Sequence, residues 1–79
     1  MEKREVVNKL TAIFRKVLSN GSLEITNELT ANDVDNWDSL THMLLITEIE
    51  ESFSIKFKLK DLNKMRNVGD MIDIISSKL

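Results

Sequence analysis

One serine in this 79-residue chain lies where a loop gives way to a helix. Residues 30–37 carry no helical pattern, whereas residues 40–53 have apolar side chains at helical spacing. Asp38 belongs to a type preferred at the N-cap, so Ser39 falls on the first helical turn. A hydroxyl there faces unpaired backbone N–H groups at the positive end of the helix dipole, which would stabilise a phosphate ester on its oxygen. Asp38-Ser39-Leu40 is therefore compatible with modification through a phosphate, although the same residues could serve only as a helix cap.

Length and composition limit the other kinds of chemistry available to the chain. Its 79 residues predict a single domain. Cysteine is absent, which excludes disulfides, zinc–thiolate sites and a catalytic thiol. Proline is also absent and only two glycines occur, which favours helices. Since no apolar run reaches about 18 residues and the start is mixed in charge, we expect a cytoplasmic protein without a membrane span or signal peptide.

The charge is distributed unevenly along the chain, although its net value is only −2. Residues 30–53 hold six carboxylates and no lysine or arginine. This acidic block should attract basic partners and repel nucleic acid, although an ordinary solvated helix face would have the same composition. The next segment is basic and holds Lys56, Lys58, Lys60, Lys64 and Arg66 against Asp61 alone. It lacks exposed aromatic residues for stacking, so nucleic-acid binding is not expected.

The first part of the chain is predicted to be one helix followed by a long connection. Apolar residues recur every three or four positions over residues 6–18, and Gly21 is placed as the C-cap. Residues 22–37 form the connection, whose apolar side chains are expected to pack across the other helices. Trp37 is expected to pack beside Ser39 rather than to contact a ligand, because an aromatic residue before a helix more often packs.

The second helix has two distinct faces when its residues are placed at about 100° each. The core face is predicted to hold Leu45, Ile46, Ile49 and Phe53. The opposite face holds Leu40, Leu44, Thr47, Glu48 and Glu51, with Met43 and Glu50 at its flanks. A small apolar patch ringed by carboxylates is typical of a docking surface.

His42 is the only histidine and falls near the core face, one turn after Ser39. A catalytic pair with Ser39 is conceivable at this spacing. However, no third residue orients the ring, and a single histidine rarely binds a metal. We therefore expect a partly buried packing residue, and a hydrolase built on these two groups is the least favoured interpretation.

The C-terminal third combines an extended segment with two helices. Residues 53–59 alternate like a strand, but no second strand exists to pair with them. We predict a crossing segment that places Ile55, Phe57 and Leu59 in the bundle, followed by a short helical turn over residues 61–65. Asn67 is predicted to cap the last helix in a reciprocal capping box with Asp70. The buried stripe of that helix is predicted to be Val68, Met71, Ile72, Ile75 and Leu79.

Three of these segments together resemble the acyl carrier protein family. Residues 37–40 match the family's modification motif. Residues 49–55 are similar to its acidic helix end, which is followed by an aromatic residue and a crossing segment. Residues 67–70 resemble the start of its last helix. The resemblance runs from about residue 5 to residue 79. It implies one carrier domain over residues 1–79 with an all-α fold: a four-helix bundle with a short third helix and a long loop between helices one and two.

The resemblance also implies a carrier without catalytic residues or a metal site. A 4′-phosphopantetheine arm would be joined to Ser39 by a phosphodiester, and its terminal thiol would hold an acyl group as a thioester. Asp38 would help a phosphopantetheinyl transferase and its magnesium ion approach the serine. Acyl-loading and acyl-accepting enzymes would also dock, at positions matched by Leu40, Met43, Leu44, Glu48, Glu50 and Glu51. We expect a monomer with no nucleic-acid partner and no membrane insertion.

Several residues depart from the family pattern. Thr41 and Leu44 stand where acidic residues are common, Thr47 stands where methionine is frequent, and the basic cluster at 56–66 is unusual. These departures count against a generic role in fatty-acid synthesis and favour a carrier dedicated to one pathway. The resemblance implies that this pathway belongs to fatty-acid or polyketide biosynthesis. An aminoacyl carrier stays open as an alternative, because Trp37 resembles the residue found before the motif in D-alanyl carrier proteins. The lack of Gly-Gly before the motif disfavours a peptidyl carrier. A cofactor-free helical interaction module, which would not need the Ser39 hydroxyl, also stays open.

Overall fold

The computed structural model describes residues 2–79 and contains four α-helices over that range. They are α1 (Lys3–Val17), α2 (Ser39–Phe53), α3 (Leu59–Asn63) and α4 (Val68–Lys78), with a 3₁₀ turn at Ala31–Asp33. This order confirms the predicted four-helix bundle with a short third helix and a long first loop. Among the described helices, none has both the length and the apolar character needed to cross a membrane.

A single apolar cluster forms between α1, α2 and α4, where α1 contacts both of the other helices. The buried side chains are Val6, Leu10, Ile13, Phe14, Leu18, Trp37, Leu45, Ile46, Ile49, Phe53, Ile55, Val68, Met71, Ile72 and Ile75. The predicted core face of α2 is confirmed in full. The prediction for α4 is wrong at Leu79, which is 49% exposed because it follows the last turn of the helix.

The end of α1 differs from the prediction. Ser19, and not Gly21, adopts the left-handed conformation, with φ of 53°. The N–H of Ser19 donates to the Lys16 carbonyl at 3.4 Å, and the N–H of Asn20 donates to the Arg15 carbonyl at 3.0 Å. These two bonds form a Schellman motif, which ends the helix at Val17 before the glycine is reached.

The long first loop is held against the start of α4. The N–H of Val68 donates to the Leu29 carbonyl at 3.0 Å, and the N–H of Gly69 donates to the Asn27 carbonyl at 2.9 Å. Its predicted apolar anchors are half-buried against the core: Leu23, Ile25, Leu29 and Val34. The loop therefore packs across the bundle as the sequence predicts.

Gly69 is expected to resist replacement by alanine. A Cβ there would lie 3.1 Å from the Asn27 carbonyl oxygen, which cannot retreat without lengthening its hydrogen bond to the Gly69 N–H. The crowding outweighs the gain of about 1 kcal/mol in helix propensity, so Gly69→Ala should lower the free energy of unfolding by about 1 kcal/mol. Gly21→Ala is the control because its Cβ would meet nothing within 4 Å. Equal urea midpoints for the two variants would contradict this expectation.

The crossing segment is confirmed in part. Ile55 is buried and Phe57 is half-buried against the core, as predicted. Leu59 is 75% exposed, so its predicted burial is wrong. The Lys58 N–H donates to the Asp61 carboxylate at 2.8 Å, and α3 begins at Leu59, two residues earlier than predicted. Because the chain turns at that point, the alternation of the extended segment stops before Leu59.

Asn67 is confirmed as the N-cap of α4. Its side-chain oxygen accepts the N–H of Asp70 at 2.8 Å. The reciprocal half of the predicted capping box is wrong, because the Asp70 carboxylate accepts the N–H of Arg66 at 3.1 Å and not that of Asn67. The same carboxylate oxygen lies 3.5 Å from Nε of Arg66, so Asp70 holds this residue at both its backbone and its side chain.

Candidate functional site

Ser39 is the first residue of α2 and is exposed, and the cap before it is well defined. Asp38 Oδ1 accepts the N–H of Thr41 at 3.0 Å, and Thr41 Oγ1 accepts the N–H of Asp38 at 2.8 Å. Thr41 Oγ1 also donates to the Asn36 carbonyl at 2.6 Å. The threonine noted as a family departure therefore completes the capping box, a role that its position three residues after the N-cap could have indicated.

The Asp38 carboxylate stays ionised beside the serine. The backbone N–H of Thr41 that donates to it lowers the pKa of Asp38, because this bond favours the charged form. A fixed negative charge thus lies next to an accessible hydroxyl, which is an arrangement suited to attracting a cation to the site.

Trp37 and His42 anchor the two sides of this helix start. Trp37 is buried, with its ring edge-on to Phe14 at a centroid distance of 5.0 Å. Its Nε1–H donates to Nδ1 of His42 at 3.0 Å, and the two rings lie within 18° of parallel. The packing role expected for Trp37 and the partial burial expected for His42 are confirmed. The hydrogen bond between them connects the loop end to α2 around Ser39.

The Trp37–His42 hydrogen bond should make stability depend on pH. Burial lowers the pKa of His42 below its ordinary 6.5, and Nδ1 can accept the indole proton only when it is unprotonated. The unfolded chain therefore binds a proton more readily than the folded one. The stabilisation is present above pH 6.5 and is lost as the pH falls from there through the lower folded-state pKa.

Urea unfolding at pH 7.5, 6.5 and 5.5 measures this effect against a His42→Asn control, which keeps an acceptor but cannot titrate. The free energy of unfolding should fall more steeply with decreasing pH in the wild type than in the variant. The same slope in both proteins would show that His42 does not contribute.

The apolar part of the predicted docking surface is present on α2. Leu40, Met43 and Leu44 are 72%, 52% and 50% exposed, respectively, and Glu51, about two turns further along the helix, is also exposed. Three large exposed apolar side chains on one helix face form a patch of the kind that marks contacts with other proteins.

The other two acidic residues of the predicted docking surface make contacts within the chain. Glu48 lies 3.2 Å from Nζ of Lys16 on α1, and Glu50 accepts the backbone N–H of Phe57 at 2.8 Å. Both are half-buried. Glu50 therefore has a structural role at the crossing segment, which sequence spacing did not indicate.

The basic cluster remains exposed around α3. The one carboxylate within it, Asp61, lies 2.9 Å from Nζ of Lys78. The pKa of Asp61 is lowered mainly by the hydrogen bond from the Lys58 N–H and also by the ammonium group of Lys78. This carboxylate is therefore ionised and already paired. The exposed amines of the cluster, Lys56, Lys58, Lys60 and Lys64, face solvent.

An open groove of about 580 Å³ lies beside Ser39. Its lining residues are Ala31, Trp37, Asp38, Ser39, His42, Met43, Met65 and Arg66. At this groove, the end of the first loop meets the start of α2 and the segment between α3 and α4. No sequence pattern links Met65 and Arg66 to the serine, so these residues were missed as candidates.

The fold and this site together indicate a class of protein: a small helical bundle that presents an accessible hydroxyl at the start of a helix. The exposed face of that helix is apolar and acidic. Within residues 2–79, no group of three or more His, Asp or Glu side chains is placed to hold a metal ion.

Comparisons with known proteins give the family. No protein-family profile matches the chain. The acyl carrier protein of Thermotoga maritima is 30% identical over 77 residues, covering 98% of this chain and 95% of that protein. That of Coprothermobacter proteolyticus is 30% identical over 79 residues, covering 100% and 96%. The solution structure of a holo acyl carrier protein from Geobacter metallireducens is 47% identical, with a TM-score of 0.86 over 91% of this chain and 83% of that one. The chain therefore belongs to the acyl carrier protein family, whose members are carriers rather than catalysts.

Proposed function

We propose that Ser39 carries a 4′-phosphopantetheine arm and that the arm presents an acyl group, held as a thioester, to partner enzymes. The observation that carries this proposal is the accessible Ser39 at the start of α2, directly after the N-cap Asp38. The solved relative from Geobacter metallireducens is described as a holo protein, which supports a prosthetic group here as well. The bonds to the cargo would be made and broken by the partner enzymes, and the chain itself would only bind and present.

The residues around Ser39 suit such a group. The hydroxyl lies at the positive end of a 15-residue helix, where a phosphodiester is favoured. The arm would supply the thiol that a chain without cysteine lacks. The Asp38 carboxylate is ionised and can attract the magnesium ion of a phosphopantetheinyl transferase while the hydroxyl is presented.

Intact-mass measurement after incubation with a phosphopantetheinyl transferase and coenzyme A tests the proposal. The mass should increase by one phosphopantetheinyl group, and peptide mapping should place the group on the fragment that contains Ser39. An unchanged mass with several transferases of different specificity would overturn it.

The exposed patch of Leu40, Met43 and Leu44 would be the contact for the transferase and for acyl-handling enzymes. Leu40→Asn should lower kcat/KM for the transferase roughly tenfold, because a central apolar anchor contributes more than about 1 kcal/mol to such contacts. The control is Leu59→Asn on α3, because Leu59 is exposed to the same degree. Neither variant should change the urea midpoint. Equal losses of kcat/KM in both variants would contradict docking on α2.

The departures from the family pattern support a carrier dedicated to one pathway, of the fatty-acid or polyketide kind. Such a carrier would act as a monomer with neither nucleic acid nor membrane as partner. Leu44 is exposed, so partners would meet a more apolar surface than an acidic residue would give. Trp37 is buried between α1 and α2, so packing explains its presence and it does not favour an aminoacyl cargo. Mass spectrometry of the protein isolated from its own cell identifies the cargo directly.

A further inference from the structure

Arg66 lines the groove beside Ser39 from the segment between α3 and α4. Building on the proposed function, we propose that Arg66 pairs with the phosphodiester on Ser39 and directs the first part of the arm into this groove. Asp70 holds the residue in place, because one carboxylate oxygen accepts the Arg66 N–H and lies 3.5 Å from its Nε. This contact leaves the terminal nitrogens of the guanidinium available to a second anion.

A positively charged side chain in the groove would stabilise the negative charge of the phosphodiester. The Asp38 carboxylate already accepts the N–H of Thr41, so it partly neutralises the positive end of α2. His42 also lines the groove, but burial lowers its pKa, so this side chain is neutral at pH 7.5. Among the described residues that line the groove, Arg66 is the only lysine or arginine. A phosphodiester would be bonded directly to the serine oxygen, so its negative charge would stay at the mouth of the groove wherever the rest of the arm moves.

The chemistry of the two groups matches. The planar guanidinium presents paired N–H donors that bind two phosphate oxygens together, which a lysine cannot do. Beyond the phosphate, the arm continues with a methylene group and then a carbon bearing two methyl groups. The groove offers it the side chains of Met43 and Met65, which adapt to irregular shapes. The Trp37 ring is also apolar there, because its N–H is already donated to His42.

The test uses phosphorus NMR on the loaded protein. Wild type, Arg66→Gln, Arg66→Lys and Lys64→Gln are incubated with a transferase and coenzyme A until intact mass shows complete conversion. Lys64 is the matched control, since it is exposed and close in sequence but does not line the groove. The same samples unfolded in urea give the phosphorus shift of a free arm.

We expect the folded wild type and Lys64→Gln to differ from the unfolded reference by the same shift. Arg66→Gln should lose more than half of that difference. Nuclear Overhauser contacts between the arm methyl groups and the Trp37 ring should weaken at least threefold in Arg66→Gln, and Arg66→Lys should give intermediate values. High salt should move the wild-type phosphorus signal toward the reference but leave that of Arg66→Gln in place.

Identical phosphorus shifts and methyl contacts in the loaded wild type, Arg66→Gln and Lys64→Gln would overturn the inference while leaving the arm on Ser39 intact. A wild type that accepts no phosphopantetheine would instead overturn the proposed function, and the inference with it. Unfolding of Arg66→Gln is not a concern, because the Arg66 side chain is 85% exposed and an exposed ion pair contributes little to stability. The urea midpoint of the unloaded variant checks this.

Discussion

Replacing Ser39 by alanine is expected to abolish the mass increase that a phosphopantetheinyl transferase gives the wild-type protein. The loss should be complete, because the hydroxyl oxygen is the atom that would bond to phosphorus, and alanine has no nucleophile to replace it. Ser52→Ala is the matched control, since Ser52 is also exposed and lies on the same helix. It should be modified at the wild-type rate.

The fold of the Ser39→Ala variant should be unchanged. The cap of α2 depends on Asp38 and Thr41 and not on the Ser39 side chain. The urea midpoint should therefore match that of the wild type, which separates loss of the attachment atom from loss of structure. A mass increase that persists in Ser39→Ala would show that another residue carries the group, and our assignment would be wrong.

Trp37→Ala is expected to have the largest effect on stability. Removing the indole empties the space between α1 and α2, breaks the edge-on contact with Phe14 and leaves Nδ1 of His42 without its donor. Core truncations of this kind cost about 3–5 kcal/mol, a large part of the roughly 5–15 kcal/mol that stabilises a small domain. Urea unfolding at neutral pH measures the change.

A second variant separates packing from hydrogen bonding at this site. Trp37→Phe keeps an aromatic ring against Phe14 but loses the indole N–H, so it should cost about 1–3 kcal/mol. Leu44→Ala is the control for loss of an exposed apolar side chain and should change the free energy of unfolding by less than about 0.5 kcal/mol. If Trp37→Ala were no more destabilising than Leu44→Ala, the indole would not be the anchor of the loop.

The presence of four helices, the core face of α2 and the cap before Ser39 could be predicted from the amino-acid sequence alone. These features depend on residues within a turn or two of one another. The spacing of Leu45, Ile46 and Ile49 indicates that they share one face of a helix. The Asp38 cap forms its hydrogen bond with a residue three positions away. Local hydrogen bonds and apolar periodicity are therefore enough to predict them.

Contacts between distant parts of the chain could not be predicted from the sequence and are seen only in the folded molecule. Glu48 pairs with Lys16, 32 positions earlier in the chain, and Arg66 comes to the groove beside Ser39. Such contacts form because the packed core brings separate segments together. The apolar periodicity of one segment does not indicate which side chains of another segment it will contact.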